Sequence, residues 1–381
     1  MKILYLSSPS FFDSDLCYVK ELRNFVDLTY LIDLPSYNLN YSALEVDFQP
    51  SEAGIIPLSF VKGLEKFSDY LGQNCYVINR PFSKRFSYET LKINRELKKF
   101  ILQINPDILH FNNPISVIGR SILKLPILKV MTIHDPIPHI GESKKNIRIL
   151  KSNMKFVNSF ILLNEFQKVD FIHLYNLKKE NVHTTFLGSY NSYSALKQEV
   201  DLGNKKNLLF FGRITPYKGL NILIEVFNRL KKTFPDLTLT IAGKGQLPLN
   251  IINNGSVKII NRYVSVDELS ILINSSTLVV CPYIEGTQSG VIMTSFAFSK
   301  PVLASNVGGF GEMIEDEITG FLVQPENINQ LEEKLISILN NPDKLKLISD
   351  NISSVYHNNG KRSWYKSAEK TFGIYKTLLI K

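Results

Sequence analysis

The chain has 381 residues, of which 44% are hydrophobic and 21% charged, and its 44 basic and 35 acidic side chains give a net charge of +9. This balance is typical of a folded globular protein and excludes an intrinsically disordered or collagen-like chain. A single hydrophobic core stops growing near roughly 250 to 300 residues, so the length predicts two domains with a cleft between them.

No apolar run in the sequence approaches the ~20 residues that a membrane-spanning helix needs. The run from Met1 to Leu6 is too short for the core of a signal peptide, and we expect it to form the first β-strand of a cytoplasmic protein. The cysteines are odd in number and widely spaced, which argues against a disulfide framework and against a zinc site. They are Cys17, Cys75 and Cys281.

Strand and helix patterns alternate along the first half, as in α/β proteins built on parallel sheets. The clearest helix is Tyr88–Ile104, which has apolar residues on one face and is followed by Pro106. A second helix is predicted at Tyr18–Phe25. The predicted strands are Ile3–Leu6, Val26–Ile32, Ile108–Phe111, Val130–Ile133, Phe160–Leu163 and Val182–Phe186.

The same alternation restarts after the polar stretch Gly188–Lys206, which we interpret as a linker. Ser265 and Glu268 form a capping box at the start of one helix, and the chain ends in a helix at Ser363–Ile380. We therefore predict an N-terminal domain over residues 1–200, a C-terminal domain over 201–360, and a helix at 361–381 that packs back on the N-terminal domain. The predicted strands of this half are Leu208–Phe211, Leu237–Ala242, Val257–Ile260, Leu278–Cys281, Pro301–Ala304 and Gly320–Val323, and a helix is predicted at Gly219–Lys232.

The segment from Phe210 to Gly219 runs from a predicted strand into a predicted helix. Gly212 lets a ligand approach the backbone closely, and the helix start offers unpaired N–H groups at the positive end of the helix dipole. Arg213 and Lys218 add two cations. The pattern predicts an anion site, although its spacing is that of neither a P-loop nor a dinucleotide-binding fingerprint.

Two further loops also follow predicted strands. The loop after Cys281 leads into an apolar helix with small residues at its start, whose N–H groups suit a phosphate or a sugar hydroxyl, and Glu285 can accept hydrogen bonds from hydroxyls. The third loop begins with His134 and Asp135; a lone histidine is more often structural than functional. Ligands bind at the carboxyl edge of open α/β sheets, so the three loops predict a binding site.

With further motifs, these segments resemble the retaining GT-B glycosyltransferases of glycosyltransferase family 4, most clearly from Leu208 to Val323. The resemblance covers nearly the whole chain and implies an α/β protein with the GT-B fold, in which two Rossmann-like domains face each other across a cleft and bind a nucleotide sugar. The motifs that carry it are Phe211-Gly-Arg213 through Lys218-Gly, Ala242-Gly-Lys-Gly245, Pro282-Tyr through Gly290-Val, Lys300-Pro301-Val, Val307-Gly-Gly309 with Glu312, Thr319-Gly320-Phe, Pro106-Asp-Ile-Leu-His110 and Ile133-His-Asp135.

The resemblance implies a role for each matching residue. Arg213 and Lys218 would hold the donor diphosphate and neutralise its developing charge, so that neither a metal nor a separate cofactor is expected. Glu285 would bind hydroxyls of the donor sugar, and His134 would contact the donor from the facing domain. The other implied donor-binding residues are Gly212, Gly243, Lys244, Arg262, Tyr263, Gln288, Ser289, Gly290, Val291 and Thr294.

Two departures from the family pattern bear on the site. Thr294 stands where many members have a second glutamate that binds ribose, and a hydroxyl cannot make a carboxylate's charged pair of contacts, which bears on nucleotide preference. The glycine-rich loop that often follows the first strand is replaced by Ser7–Asp15. We expect that segment to face the acceptor, with Phe11 and Phe12 stacking on a sugar or touching lipid.

On the acceptor side we thus place Phe11, Phe12, Asp13 and Asp135. Asp13-Ser14-Asp15 also matches the metal site of the other large glycosyltransferase fold. We reject that alternative, because that fold would not explain a second strand–helix set that bears Arg213, Lys218 and Glu285.

The resulting hypothesis is a retaining, metal-independent hexosyltransferase that moves a sugar from a nucleotide diphosphate sugar to a glycan acceptor, lipid-linked at the inner face of the cytoplasmic membrane, in surface polysaccharide or glycan synthesis. Basic clusters at Arg80–Lys99 and Lys144–Lys155 fit peripheral contact with anionic lipid, although a solvated surface explains them equally well. No nucleic-acid-binding motif appears. The alternatives are a catalytically inert nucleotide-sugar-binding subunit and a soluble transferase with a small acceptor.

Overall fold

The structure is a computed structural model that describes residues 1–35, 40–41, 44–45, 51–80, 87–115, 120–135, 144–194, 206–248 and 255–380. For residues 40–41, 44–45 and 144–146 it describes the backbone alone. The chain forms two compact units. Unit 1 contains residues 1–187 and 364–381, and unit 2 contains residues 188–363.

Unit 1 is built on a sheet of eight strands in the order β10-β9-β8-β7-β1-β2-β6-β5. All neighbours are parallel except β5 and β6, and β3 pairs with β4 in a separate antiparallel hairpin. The chain order reverses between β1 and β7, which are adjacent and lie at a topological switch point. The strands are β1 Lys2–Ser7, β2 Asp27–Pro35, β3 Asn40–Tyr41, β4 Leu44–Glu45, β5 Gly54–Pro57, β6 Cys75–Arg80, β7 Ile108–Phe111, β8 Leu128–Ile133, β9 Ser159–Leu162 and β10 Val182–Thr184.

The helices of unit 1 cover this sheet with apolar faces. Helix α3 is capped by Ser87, whose hydroxyl accepts a hydrogen bond from the Thr90 N–H, and ends at Asn105 in the left-handed conformation. Helix α12 packs in unit 1, where Trp364 contacts the ring of Tyr18 on α1 edge to face. The helices are α1 Phe12–Leu22, α2 Ser68–Leu71, α3 Tyr88–Ile104, α4 Lys144–Met154, α5 Lys168–Tyr175 and α12 Trp364–Ile380.

Unit 2 contains a wholly parallel sheet of six strands in the order β13-β12-β11-β14-β15-β16. Numbered within the unit, this is the order 3-2-1-4-5-6 of the Rossmann fold, whose switch point lies between β11 and β14. The strands are β11 Asn207–Phe211, β12 Thr238–Ala242, β13 Val257–Ile260, β14 Leu278–Cys281, β15 Val302–Ser305 and β16 Phe321–Val323. The helices are α6 Leu220–Leu230, α7 Val266–Asn274, α8 Gly290–Ala297, α9 Phe310–Met313, α10 Ile328–Leu339 and α11 Pro342–Tyr356.

Most predicted elements lie where the sequence pattern put them, and the differences are local. The helix predicted at Tyr18–Phe25 begins at Phe12, because a 3₁₀ turn at Pro9–Phe11 leads directly into it. Strands β3 to β6 and helices α2, α4, α5 and α9 were not predicted. Unit 2 begins at Gly188, the first residue of the predicted linker Gly188–Lys206, so the unit boundary falls at residue 187 rather than at 200. Residues 195–205 of this linker lie outside the described residues. Among the described residues, none of the helices has the length and apolarity to cross a bilayer.

Candidate active site

The carboxyl ends of β11 and β14 are adjacent at the switch point of unit 2, because these two strands pair directly. The loop after β11 leads through a 3₁₀ turn at Pro216–Lys218 into α6, and the loop after β14 leads into α8. The N–H of Ile284 donates to the carbonyl of Tyr217 at 2.7 Å and thereby joins the two loops. The two segments that the sequence singled out therefore form one surface.

Glycines allow these loops to approach closely. Gly212 has φ +102°, and a β-carbon there would lie 2.9 Å from Lys218 Nζ and 3.1 Å from a methyl group of Val291. Gly219 has φ +65°, and a β-carbon there would lie 1.9 Å from the carbonyl oxygen of Pro282. A side chain at residue 219 would separate the two loops, and one at residue 212 would displace the ammonium group of Lys218.

Lys218 is a buried cation in this surface. Lys218 is 7% exposed, and its ammonium group lies 4.9 Å from the centre of the Tyr283 ring. Burial, with a smaller contribution from the charge of Arg213, lowers the pKa of Lys218 to about 8. Within the described part of the chain no carboxylate forms an ion pair with it. A buried ammonium without a carboxylate is costly, and a bound anion would compensate it.

The start of α8 adds hydrogen-bond donors to the same surface. Ser289 caps the helix, since its hydroxyl accepts a hydrogen bond from the Ile292 N–H at 3.3 Å. The N–H groups of Gly290 and Val291 precede the first intrahelical bond and are available to a ligand. Gln288 Nε2 is buried without a hydrogen-bond partner in the described structure.

Thr215 Oγ1, in the loop after β11, is a further buried polar atom of this surface that lacks a partner among the described groups. Buried polar atoms are nearly always paired, so unpaired atoms in two facing loops indicate a polar ligand. Arg213 is exposed at the same loop. The arrangement of Lys218, Arg213 and the α8 N–H groups can hold an anion of more than one charge.

The other predicted donor-binding residues lie on neighbouring loops of unit 2. A β-carbon on Gly243 would lie 1.8 Å from the carbonyl oxygen of Gly212, so the loop after β12 abuts the anion loop. Arg262 is exposed and forms a two-pronged ion pair with Glu268, at 2.7 and 2.8 Å. Tyr263 and Lys244 are exposed, Glu285 is half-buried, and Thr294 is 5% exposed inside α8. The structure thus brings Gly212, Lys218, Gly243 and Val291 into contact, while Arg262 is paired away from them with Glu268.

In unit 1, His134 follows β8 and Asn112 follows the adjacent strand β7. His134 Nε2 lies 2.9 Å from Asn112 Oδ1, and its ring stacks on Phe11 with centroids 3.8 Å apart. Burial lowers the pKa of His134 to about 4, which keeps the imidazole neutral at pH 7. Asp135 is exposed.

The expectation that Phe12 stacks on a sugar or touches lipid was wrong, because its side chain is buried. Phe12 is the first residue of α1, is 0% exposed, and packs edge to face on Phe67. Phe11 contacts His134 rather than standing free in a loop. Asp13 lies in the first turn of α1, where its carboxylate interacts favourably with the positive end of the helix dipole. Among the residues described, no group of three or more metal-ligating side chains converges.

Sequence reasoning missed two polar residues that lie in the loops of these sites. Asn112 and Thr215 were not singled out, because single Asn and Thr residues after strands carry no spacing signal. Asn112 is defined by a long-range contact, since it donates to Asp15, 97 positions away in the chain.

Comparison with known proteins supports a glycosyltransferase of group 1. Residues 193–354 match the family model described as glycosyl transferases group 1. An uncharacterized glycosyltransferase of Methanocaldococcus jannaschii is 26% identical over 323 residues, which are 80% of this chain and 86% of that protein. An uncharacterized glycosyltransferase of Haemophilus influenzae is 25% identical over 294 residues, 73% of this chain and 79% of that one.

The fold matches solved structures over its full length. HepE of Anabaena superposes with a TM-score of 0.69 at 18% identity, covering 99% of this chain and 100% of its own. Sucrose-phosphate synthase of Thermosynechococcus elongatus gives a TM-score of 0.69 at 14% identity, covering 100% and 99%. The predicted fold class, an α/β protein of the GT-B type with two Rossmann-like domains, is confirmed.

Proposed function

We propose that the protein is a retaining glycosyltransferase that transfers a sugar from a nucleotide diphosphate sugar to a hydroxyl of a glycan acceptor, without a metal ion. The observation that carries this proposal is Lys218, a buried ammonium with no described carboxylate partner, placed between Gly212 and the start of α8. Two negative charges on a diphosphate match Lys218 and Arg213, and the donor phosphate oxygens match the N–H groups of α8.

In the proposed reaction the bond between the anomeric carbon and the β-phosphate oxygen breaks, and a bond from that carbon to the acceptor oxygen forms on the same face. The acceptor proton passes to the departing phosphate oxygen, so the products are the glycoside and the nucleoside diphosphate. Charge accumulates on the diphosphate as the glycosidic bond breaks. Lys218 and Arg213 are fixed cations at that position and stabilise this charge.

The remaining predicted residues contact the donor in this proposal. Glu285 accepts hydrogen bonds from sugar hydroxyls, Tyr263 lies beside the base, and Thr294 stands at the ribose contact. HepE has been solved with UDP and with UDP-glucose, and a Staphylococcus aureus enzyme of the same fold with UDP. These relatives favour a uridine diphosphate sugar as the donor to test first.

The proposed acceptor is a lipid-linked glycan at an anionic membrane surface, where the protein would be held by helix α3. This helix exposes both apolar and basic residues: Tyr88 is 75% exposed, Leu91 62% and Leu102 55%, and the basic residues Lys92, Arg95, Lys98 and Lys99 between them are exposed as well. Each such cation contributes about 1 kcal/mol at an anionic surface.

The remaining members of the two basic clusters differ in their exposure. Arg80 is neutralised by a two-pronged ion pair with Asp33, at 2.6 and 2.9 Å. In the second cluster Arg148, Lys151 and Lys155 are exposed. Lys84 and Arg85, and the side chains of Lys144 and Lys145, lie outside the described residues.

Thermal shift against UDP, GDP and ADP sugars, with and without EDTA, tests the donor site. A ligand at 100 times its dissociation constant stabilises the folded state by about 2.7 kcal/mol, so one donor should raise the melting temperature equally in both buffers. Product analysis with membrane fractions and with small acceptors then identifies the acceptor class.

Two other results lead to other functions. Donor binding without hydrolysis or transfer to any acceptor would indicate an inert nucleotide-sugar-binding subunit. Transfer to a small acceptor in membrane-free extract would indicate a transferase that needs no membrane.

A further inference from the structure

A chain of hydrogen bonds runs behind His134 in unit 1. Asp15 lies on α1 and is 1% exposed; its Oδ2 accepts from the Tyr30 hydroxyl at 3.0 Å and its Oδ1 from the Tyr5 hydroxyl at 3.1 Å. Asp15 Oδ1 also accepts from Asn112 Nδ2, at 2.7 Å. Asn112 Oδ1 in turn lies 2.9 Å from His134 Nε2.

The chemistry of these groups gives the chain a direction. Burial raises the pKa of Asp15 to about 7, so above that pH its carboxylate is ionised and can only accept hydrogen bonds, and it draws the NH₂ group of Asn112 toward itself. The amide oxygen of Asn112 must then face His134, and it too can only accept. Nε2 of His134 therefore carries the ring proton, and Nδ1 holds a lone pair.

The surroundings keep this chain intact. Asp15, Asn112 and His134 line a cavity of about 20 Å³, which has room for about one water molecule. The ring of Phe11 stacks on the imidazole at an interplanar angle of 19° and restricts its rotation. In the described structure, His134 Nδ1 has no hydrogen-bond partner and is left as an acceptor.

We propose that Asp15 and Asn112 are positioning residues which, through this chain, fix His134 in the neutral tautomer protonated at Nε2 and present Nδ1 as the acceptor for a substrate hydroxyl. The proposal rests on the proposed function where it names the substrate group, a hydroxyl of the donor or acceptor sugar. The tautomer itself is a property of the protein without substrate.

Asp15→Asn tests the direction of this chain of hydrogen bonds, because the substitution changes the size and shape of the side chain little. The amide at position 15 can turn either its oxygen or its NH₂ group toward Asn112, so the chain loses its direction. Ring ¹⁵N chemical shifts of His134, measured by NMR on the full-length protein at pH 8, distinguish the tautomers. We expect a single Nε2-protonated form in the wild type and a substantial second population in Asp15→Asn.

Asn79→Ala is the matched control, because Asn79 is also fully buried in unit 1 but is not part of this chain of hydrogen bonds. It should leave the His134 shifts at their wild-type values even if it lowers the melting temperature. A wild-type His134 that already populates both tautomers, or an Asp15→Asn protein that keeps only the Nε2-protonated form, would overturn the proposal.

Kinetics separate this proposal from the proposed function. Asp15→Asn should lower kcat for transfer while the dissociation constant of UDP stays at the wild-type value, because the nucleotide is expected to bind to unit 2. If the tautomers change as expected but the wild type binds no nucleotide sugar, the donor site is wrong and the positioning role stands. If donor binds and the His134 tautomer is the same in both proteins, the positioning role is wrong and the donor site stands.

Discussion

Gly212 and Lys218 lie so close that a β-carbon on the glycine would be 2.9 Å from the lysine nitrogen. The ammonium position, and with it the anion site, therefore depends on the missing side chain at residue 212. Gly212 also has φ +102°, where an L-residue is strained.

Gly212→Ala should thus displace Lys218 and weaken nucleotide binding as well as lowering stability. Gly255→Ala is the matched control, because Gly255 has φ +74° but no atom within 4 Å of its β-carbon position. Each substitution should destabilise the protein by about 1–2 kcal/mol through backbone strain. Only Gly212→Ala should reduce binding in a titration with UDP, and equal binding by both variants would contradict the geometry.

Removal of either cation at the anion site should reduce turnover sharply. Loss of one preorganised group that stabilises transition-state charge typically lowers kcat by ~10²-fold to 10³-fold. Steady-state assays should show losses of this size for Lys218→Ala and Arg213→Ala, and much smaller ones for Thr294→Ala and for Lys258→Ala, a control on the exposed side of β13. Similar small losses in all four variants would count against the assigned roles.

The pKa of Lys218 predicts how stability depends on pH in the protein without ligand. Burial lowers this pKa from 10.5 in the unfolded protein to about 8 in the folded protein. Between pH 8 and 10.5 the unfolded protein therefore binds a proton that the folded protein has lost. The contribution of Lys218 to the free energy of unfolding should therefore increase as pH rises from about 8 to 10.5. Urea titrations of wild type and Lys218→Met across this range should show the contribution in the wild type alone; parallel pH profiles would mean that Lys218 is not buried as a cation.

Asp15 should show the opposite dependence at lower pH. Burial raises its pKa from 3.8 to about 7, although the hydroxyls of Ser7, Tyr30 and Tyr5 oppose the shift. The folded state then holds the proton more tightly than the unfolded state, and stability decreases as pH rises from about 4 to 7. The stability of wild type relative to Asp15→Asn, from denaturant titrations, should fall over this interval; a constant difference would show that Asp15 titrates normally.

Phe11 and Phe12 are adjacent in sequence but should respond differently to truncation. Phe12→Ala removes a fully buried ring and should lower the free energy of unfolding by about 3–5 kcal/mol. Phe11→Ala removes the ring stacked on His134 and should affect turnover more than stability. Thermal melts and transfer assays on the two variants check this, and a reversed pattern would contradict the stacking.

The sequence predicted the fold well, because parallel strands carry short apolar runs and the helices carry clear periodicity. It also located the loops after β11 and β14, since glycines follow both strand ends, with two cations after β11 and the carboxylate of Glu285 after β14. It did not predict the burial of Lys218, which arises from the pairing of β11 with β14 and the ring of Tyr283.

Phe12 was misjudged for a local reason. The polar, serine-rich stretch around it has no helical pattern, yet the turn at Pro9–Phe11 starts α1 there and directs Phe12 into the core. Asn112 could not be found from sequence because its partners, Asp15 and His134, lie on separate elements. Local pattern predicts elements and loops, whereas partners across a sheet require the tertiary structure.

The most direct test of the account is calorimetric titration of UDP and uridine into the wild-type protein and Lys218→Met, all in EDTA. The account predicts that UDP binds the wild type far more tightly than uridine does, and that Lys218→Met loses most of this difference. Equal binding of UDP and uridine by the wild type, or an unchanged preference for UDP in Lys218→Met, would contradict a diphosphate site at Lys218.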